Sequence, residues 1–198
     1  MSSIYKIAKA VTRTATLLIF SASMAQADAS SELARGLRAA DSGDWPTALS
    51  AAQGAGASGA DVILWQWLRD GQGRLDDYEG FIARHPDWPG MPLLKEKGEI
   101  AVLRSDDPAR VLAYFGKDLP ASGKGSVALV RALMALGRGA EAEAEAFRGW
   151  TQLKFDAEDE ASMLAMQGEA LKLAHEVRLD RILWDGGRLG EAERMLPR

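Results

Sequence analysis

Gly137-Arg138-Gly139-Ala140-Glu141-Ala142-Glu143 and Gly187-Arg188-Leu189-Gly190-Glu191-Ala192-Glu193 share the pattern G-R-x-x-E-A-E, fifty residues apart. Gly43-Asp44-Trp45-Pro46-Thr47-Ala48 is a looser copy. Each copy lies between two stretches with apolar residues at helical spacing. Val127, Val130 and Met134 precede one turn and Leu179, Ile182 and Leu183 the other; Ala140, Ala144 and Phe147 follow the first and Leu189, Ala192 and Leu196 the second. Spacing of i, i+3/i+4, i+7 puts each set on one face of a helix. The glycine ends the first helix in a left-handed conformation, and the small alanine lets the returning helix approach closely. A chain punctuated this way folds into helical hairpins.

Alternating Val, Ile, Thr and Tyr stretches are hard to find after Ser30, so the expected class is all-α. One hairpin cannot bury its apolar face alone, and the expected architecture is an α-α superhelix of tetratricopeptide-like hairpins over residues 28–198. Asp107-Pro108 reads as a helix cap with proline at the first position, opening a segment with Val111, Leu112 and Phe115 on one side and ending near Gly116. Asp156 reads as the cap of a helix carrying Met163, Leu164 and Leu171. The last hairpin leaves Leu183, Leu189 and Leu196 in need of a neighbour, which more chain or a partner is expected to supply.

Residues 1–27 have a different character. Lys6, Lys9 and Arg13 precede the apolar run Ala15 to Phe20, no acid occurs before Asp28, and Ala25-x-Ala27 presents small residues for signal peptidase, with cleavage before Asp28. The run is shorter than the ~20 residues that span a bilayer, so no stable membrane anchor is expected after cleavage, and the expected location is the periplasm. Removing Lys6, Lys9 and Arg13 from 24 basic residues leaves 21 against 28 acidic ones, a net charge of −7. Such an acidic chain lacks the basic footprint that neutralises phosphates, and nucleic acid is not an expected partner. The absence of cysteine excludes disulfides, thiolate nucleophiles and Cys-ligated zinc.

Few residues stand in a pattern that carries chemistry. His85 and His175, the only histidines, lie in no zinc-binding spacing and read as structural. Gly123-Lys124-Gly125-Ser126 lacks the remainder of a phosphate loop and reads as a helix start capped by Ser122 or Ser126. Glu141, Glu143 and Glu145 are expected on a solvated helix face, as are Glu96 and Glu99. Trp65 and Trp67 should face roughly opposite sides of a helix, and Trp88 lies in a proline-rich turn. Packing is the expected role of the tryptophans, with Trp67 and Trp88 as candidates for stacking on a sugar ring.

Leu64-Trp65-x-Trp67-Leu68-Arg69 and the run Tyr78-Glu79-x-Phe81-Ile82-Ala83-Arg84-His85-Pro86-Asp87-Trp88-Pro89-Gly90-Met91-Pro92-Leu93-Leu94 closely resemble the N-terminal helical region of soluble lytic murein transglycosylases. Residues 101–115, 132–138 and 176–184 continue the likeness. It implies a periplasmic superhelix that forms part of a ring-like scaffold before a C-terminal lysozyme-like domain. In intact members that domain cleaves the β-1,4 bond between N-acetylmuramic acid and N-acetylglucosamine, giving 1,6-anhydro products. Its catalytic glutamate lies in a Glu-Ser pair followed downstream by Gly-Leu-Met-Gln, and neither occurs here. The resemblance therefore supplies no catalytic residue, cofactor or metal. The expected partners are peptidoglycan strands or the family's catalytic domain. The chain reads as a scaffold inactive by itself, and the alternative is a stand-alone module that binds protein or glycan.

Overall fold

The computed structural model describes residues 26–186 and 189–196, all of the regular structure within them being helical. The class is all-α. Of the signal-cleavage residues, Ala25 lies outside the described residues, while Ala27 and Asp28 are exposed in the first turns of a helix over 26–41. The chain gathers into two compact units that divide between Asp70 and Gly71.

The first unit comprises α1 (26–41), α2 (Trp45–Ala52) and α3 (Gly56–Arg69). Gly43 takes the left-handed conformation expected of it, with φ of 74°, and Asp44 caps α2 by accepting the Thr47 amide at 3.2 Å. Ala39, Ala48, Ala55 and Ile63 form the core, with Leu33, Leu37 and Trp45 packed around them. Alanine dominates here because the helices approach closely, a Cβ at Gly36 already running into Ile63, which leaves little room for larger side chains.

The second unit holds α4 (Leu75–Arg84), α5 (Met91–Leu103), α6 (Pro108–Phe115), α7 (Gly123–Ala135), α8 (Gly139–Gln152) and α9 (Ala157–Leu171). A 3-10 turn, Lys172–Ala174, then leads into α10 (His175–Asp185) and α11 (Leu189–Met195). The expected caps are in place. Asp107 accepts the Ala109 and Arg110 amides at 3.0 and 3.1 Å, Ser122 accepts Gly125 N–H at 3.2 Å, and Asp156 accepts Asp159 N–H at 2.8 Å. Gly137, with φ of 71°, makes the α7–α8 turn. Helix α7 is central, packing on α5, α6, α8 and α9. Helix α10 packs on α8 and α11.

The buried face of α8 differs from expectation. Ala140, Ala144 and Phe147 are exposed, and Ala142, Glu145, Ala146, Gly149 and Trp150 face inward. The cause is the closeness of α7 to α8: a Cβ at Gly149 would run into Ser126. Small residues at 142, 146 and 149 allow that approach, which Phe147 would block. Met134 likewise lies on the exposed side of α7, whereas Val127 and Val130 are buried. In the last hairpin Ile182 and Ala192 are buried, and Leu183, Leu189 and Leu196 are exposed.

Candidate functional site

Burial places several acids expected in solvent inside the protein. Glu99 is buried on α5, where its carboxylate accepts the Ala121 and Ser122 amides at 2.7 and 2.8 Å and the Ser122 hydroxyl. It thereby caps the start of α7, and a Cβ at Gly125 would collide with it. Burial raises the Glu99 pKa above the ordinary value, against the pull of these hydrogen bonds. Glu145 is buried on α8, accepting the Ser126 hydroxyl at 2.7 Å and a two-point bond from Arg148, which also donates to Pro120 O at 3.0 Å. Glu96, Glu141 and Glu143 are exposed as expected.

The second unit has concavities beside α5 and α6 and along α7. One of about 330 Å³ is lined by Met91, Lys95, Glu99, Tyr114 and Asp118. Lys95 pairs with Asp118 at 2.7 Å and holds its carboxyl below the usual carboxylate range; Tyr114 donates to Lys95 O at 2.7 Å, and burial pushes its hydroxyl pKa up. A second cleft, about 420 Å³, lies across the Phe115–Leu119 segment and includes Leu129, Leu133, Arg138 and Glu145. A third, about 690 Å³, is a groove along α5, α7 and α9. Ile100, Leu103, Val127 and Met166 give it an apolar lining, while Arg104, Lys124 and Arg131 bring positive charge to Glu158 and Asp159. Arg131 donates to Leu103 O and Ser105 O at 2.5 and 3.1 Å, closing the C-terminal end of α5. Lys124 reaches Asp156 and Asp159 at 2.5 and 2.9 Å, and burial raises the Asp159 pKa. Arg104 is exposed. A lining of this kind suits an extended ligand that carries both apolar and charged groups.

The residues singled out for chemistry are not gathered here. Trp67 is half-buried on α3 of the first unit. Trp88, also half-buried, sets its ring edge-on to Phe81 and His85, with centroids 5.4 and 4.7 Å away, so His85 belongs to an aromatic turn. His175 is close to Leu171 O at 2.7 Å and tilts against Trp150 at 5.5 Å. Among the described residues no group of three or more His, Asp or Glu is placed to hold a metal ion.

The least legible feature is an ion network across α8 to α11. Arg178 is fully buried, stacks over Trp150 and Phe155 at 4.1 and 5.0 Å, and donates to Trp150 O at 3.0 Å. Its guanidinium also pairs with Glu191 at 2.5 Å and Glu160 at 3.5 Å, and Arg194 joins Glu160 at 3.1 Å. The repeat contains Glu191, but nothing local in the sequence marks Arg178 as its buried partner. No family model, no curated protein and no solved structure matches the chain.

Proposed function

We propose that the chain is a periplasmic helical scaffold serving peptidoglycan turnover, as its resemblance to the helical region of soluble lytic murein transglycosylases implies. In this reading it binds wall material along the α5–α7–α9 groove and leaves bond cleavage to a lysozyme-like domain. The observation that carries the reading is the composition of that groove, with Arg104, Lys124 and Arg131 beside Glu158 and Asp159 over an apolar lining. Peptidoglycan stems present free carboxylates, free amines and small apolar side chains on one extended chain. A groove with both charge signs can take each of these groups. In this reading the hairpins stack into the kind of long surface that repeat proteins use for extended ligands.

Cell fractionation and sedimentation with purified sacculi test the proposal together. The native protein is expected in the periplasmic extract with its N-terminus at Asp28, and it should pellet with insoluble peptidoglycan. Arg104→Glu combined with Arg131→Glu should cut retention at least several-fold, and the purified protein should leave glycan strands uncleaved. Retention unchanged by the double substitution removes the groove from the proposal, and absence of the protein from both periplasm and pellet overturns the cell-wall reading.

A further inference from the structure

The charges of the α5–α7–α9 groove are sorted along its length. The three helices run in the same direction: Glu99 meets the start of α7 and Leu103 O meets Arg131, while Asp159 meets Lys124 and Gln167 meets Met134. Lys124, Val127 and Arg131 on α7, and Glu158, Ser162 and Met166 on α9, recur at helical spacing, so each set lines the groove from one face of its helix. Arg131 is held at the C-terminal end of α5 by Leu103 O and Ser105 O, and Arg104 is the C-cap of the same helix. Carbonyls take up the hydrogen bonds of Arg131 and leave its charge without a carboxylate. At the opposite end Lys124 is shared between Asp156 and Asp159, and Glu158 is exposed beside them. Among the described residues neither Arg104 nor Glu158 forms an ion pair.

The groove therefore has a positive pole at Arg104 and Arg131 and a negative pole at Glu158, where two further carboxylates share one ammonium. Flanking charges do not reverse either pole. Asp107 turns to the start of α6, where it accepts the Ala109 and Arg110 amides, and Asp106 and Lys154 are exposed without lining the groove. Arg131 stands seven residues beyond Lys124, about 10 Å at 1.5 Å per residue. An extended peptide of three residues spans about the same length. Between the poles Ile100, Val127 and Met166 offer apolar surface and Ser162 a hydroxyl. We propose that the groove binds a short zwitterionic peptide of about three residues laid along α7, its carboxylate at Arg104 and Arg131, its ammonium at Glu158, and small apolar side chains between them. This inference rests on the groove as the binding surface of the reading above, and it narrows the ligand from wall material to a peptide carrying both charges. Peptide stems attached to glycan and free peptides share that chemistry.

The probe is trialanine, titrated into the full chain by calorimetry beside its N-acetylated form, its C-amidated form and dialanine. Trialanine should bind at least tenfold more tightly than any of the three. The direction of the peptide is read from two variants at exposed positions, for which far-UV circular dichroism should stay unchanged. Arg104→Gln should weaken trialanine several-fold and shrink the discrimination against the amidated form while keeping that against the acetylated form. Glu158→Gln should do the reverse. No binding of trialanine, equal binding of the blocked peptides, or the opposite pattern in the two variants overturns the inference. Sedimentation with sacculi, with and without excess trialanine, separates it from the cell-wall reading. Retention that trialanine releases assigns the ligand to wall-attached stems. Trialanine bound with the expected pattern but no retention on sacculi supports the inference for free peptides and overturns the cell-wall reading alone. Retention without trialanine binding overturns the inference and leaves the cell-wall reading standing.

Discussion

The α7/α8 and α10/α11 hairpins carry the same turn signature, yet they are held together by different means. Between α7 and α8 the closeness of two backbones dominates, with Gly149 against Ser126 and Ala142 and Ala146 buried alongside. Between α10 and α11 a buried guanidinium provides the link, Arg178 reaching Glu191 while stacked on Trp150 from α8. The first interface gains from packing density, and the second depends on every charge keeping its partner. A shared signature therefore specifies the turn and leaves the interface to residues outside the motif.

The largest expected effect tests the charged interface. Arg178→Ala leaves Glu160 and Glu191 buried without their shared cation and opens space beside Trp150 and Phe155. Urea denaturation should show a loss of about 3 to 5 kcal/mol, the usual result of removing one member of a buried ion pair. A loss below about 1 kcal/mol would mean that the network contributes little and that the two hairpins are held alike.

The register-matched pair of leucines provides the sharpest comparison. Leu133→Ala removes a buried side chain and should cost about 2 to 5 kcal/mol, whereas Leu183→Ala, at the same place in the repeat, should change stability by no more than about 0.5 kcal/mol. Equal costs would show that Leu183 is covered in solution, by association of the chain with itself or with another molecule. Repeating both measurements across protein concentration separates self-association from the rest.

How far these differences can be read from the sequence depends on the range of the interaction behind them. Asp107, Ser122 and Asp156 were legible as caps because each bonds an amide within three residues, and Gly137 because a left-handed turn is a local demand. The inward face of α8 was not, since Phe147 looks like core by size, and only the nearness of α7 explains why alanine and glycine occupy that place. Glu99 and Glu145 resemble surface acids on their own helices. What buries them lies elsewhere: the start of α7 more than twenty residues from Glu99, and Ser126 nineteen residues from Glu145. Arg178 and Glu191 are only thirteen residues apart and are illegible for a different reason, since a buried ion pair between two helices leaves no trace in hydrophobic periodicity. The groove along α5, α7 and α9 has no sequence signature either, its lining coming from three separate helices.

Gly149→Ala tests the close-packed interface with a smaller effect. Alanine favours a helix by about 1 kcal/mol over glycine, so a packing-neutral site would be stabilised. Here the added methyl meets Ser126, and moving that side chain breaks its bond to the buried Glu145 carboxylate. The expected net is a loss of about 1 to 3 kcal/mol by urea denaturation. Any gain in stability would place the separation of α7 and α8 wider than described.

The smallest effect concerns pH and belongs to the α7 side. Burial holds the Glu99 carboxyl above its ordinary value of 4.5, so the native chain takes up this proton at a pH where the unfolded chain still lacks it. Stability from this group is therefore fully present below about 4.5 and is lost as pH rises through the native value. Asp159 acts in the same sense from its lower reference of 3.8. Comparing the full chain with Glu99→Gln by denaturation at a series of pH values isolates the contribution. As pH falls from neutral toward 4.5 the chain with Glu99 should gain stability relative to the variant, and below that value the difference should level off. The opposite trend would mean that the bonds from Ala121 and Ser122 outweigh burial and hold Glu99 ionised. In that case the carboxylate that caps α7 would act ionised, and the contrast between the two hairpins would rest on the close backbone approach at Gly149 alone.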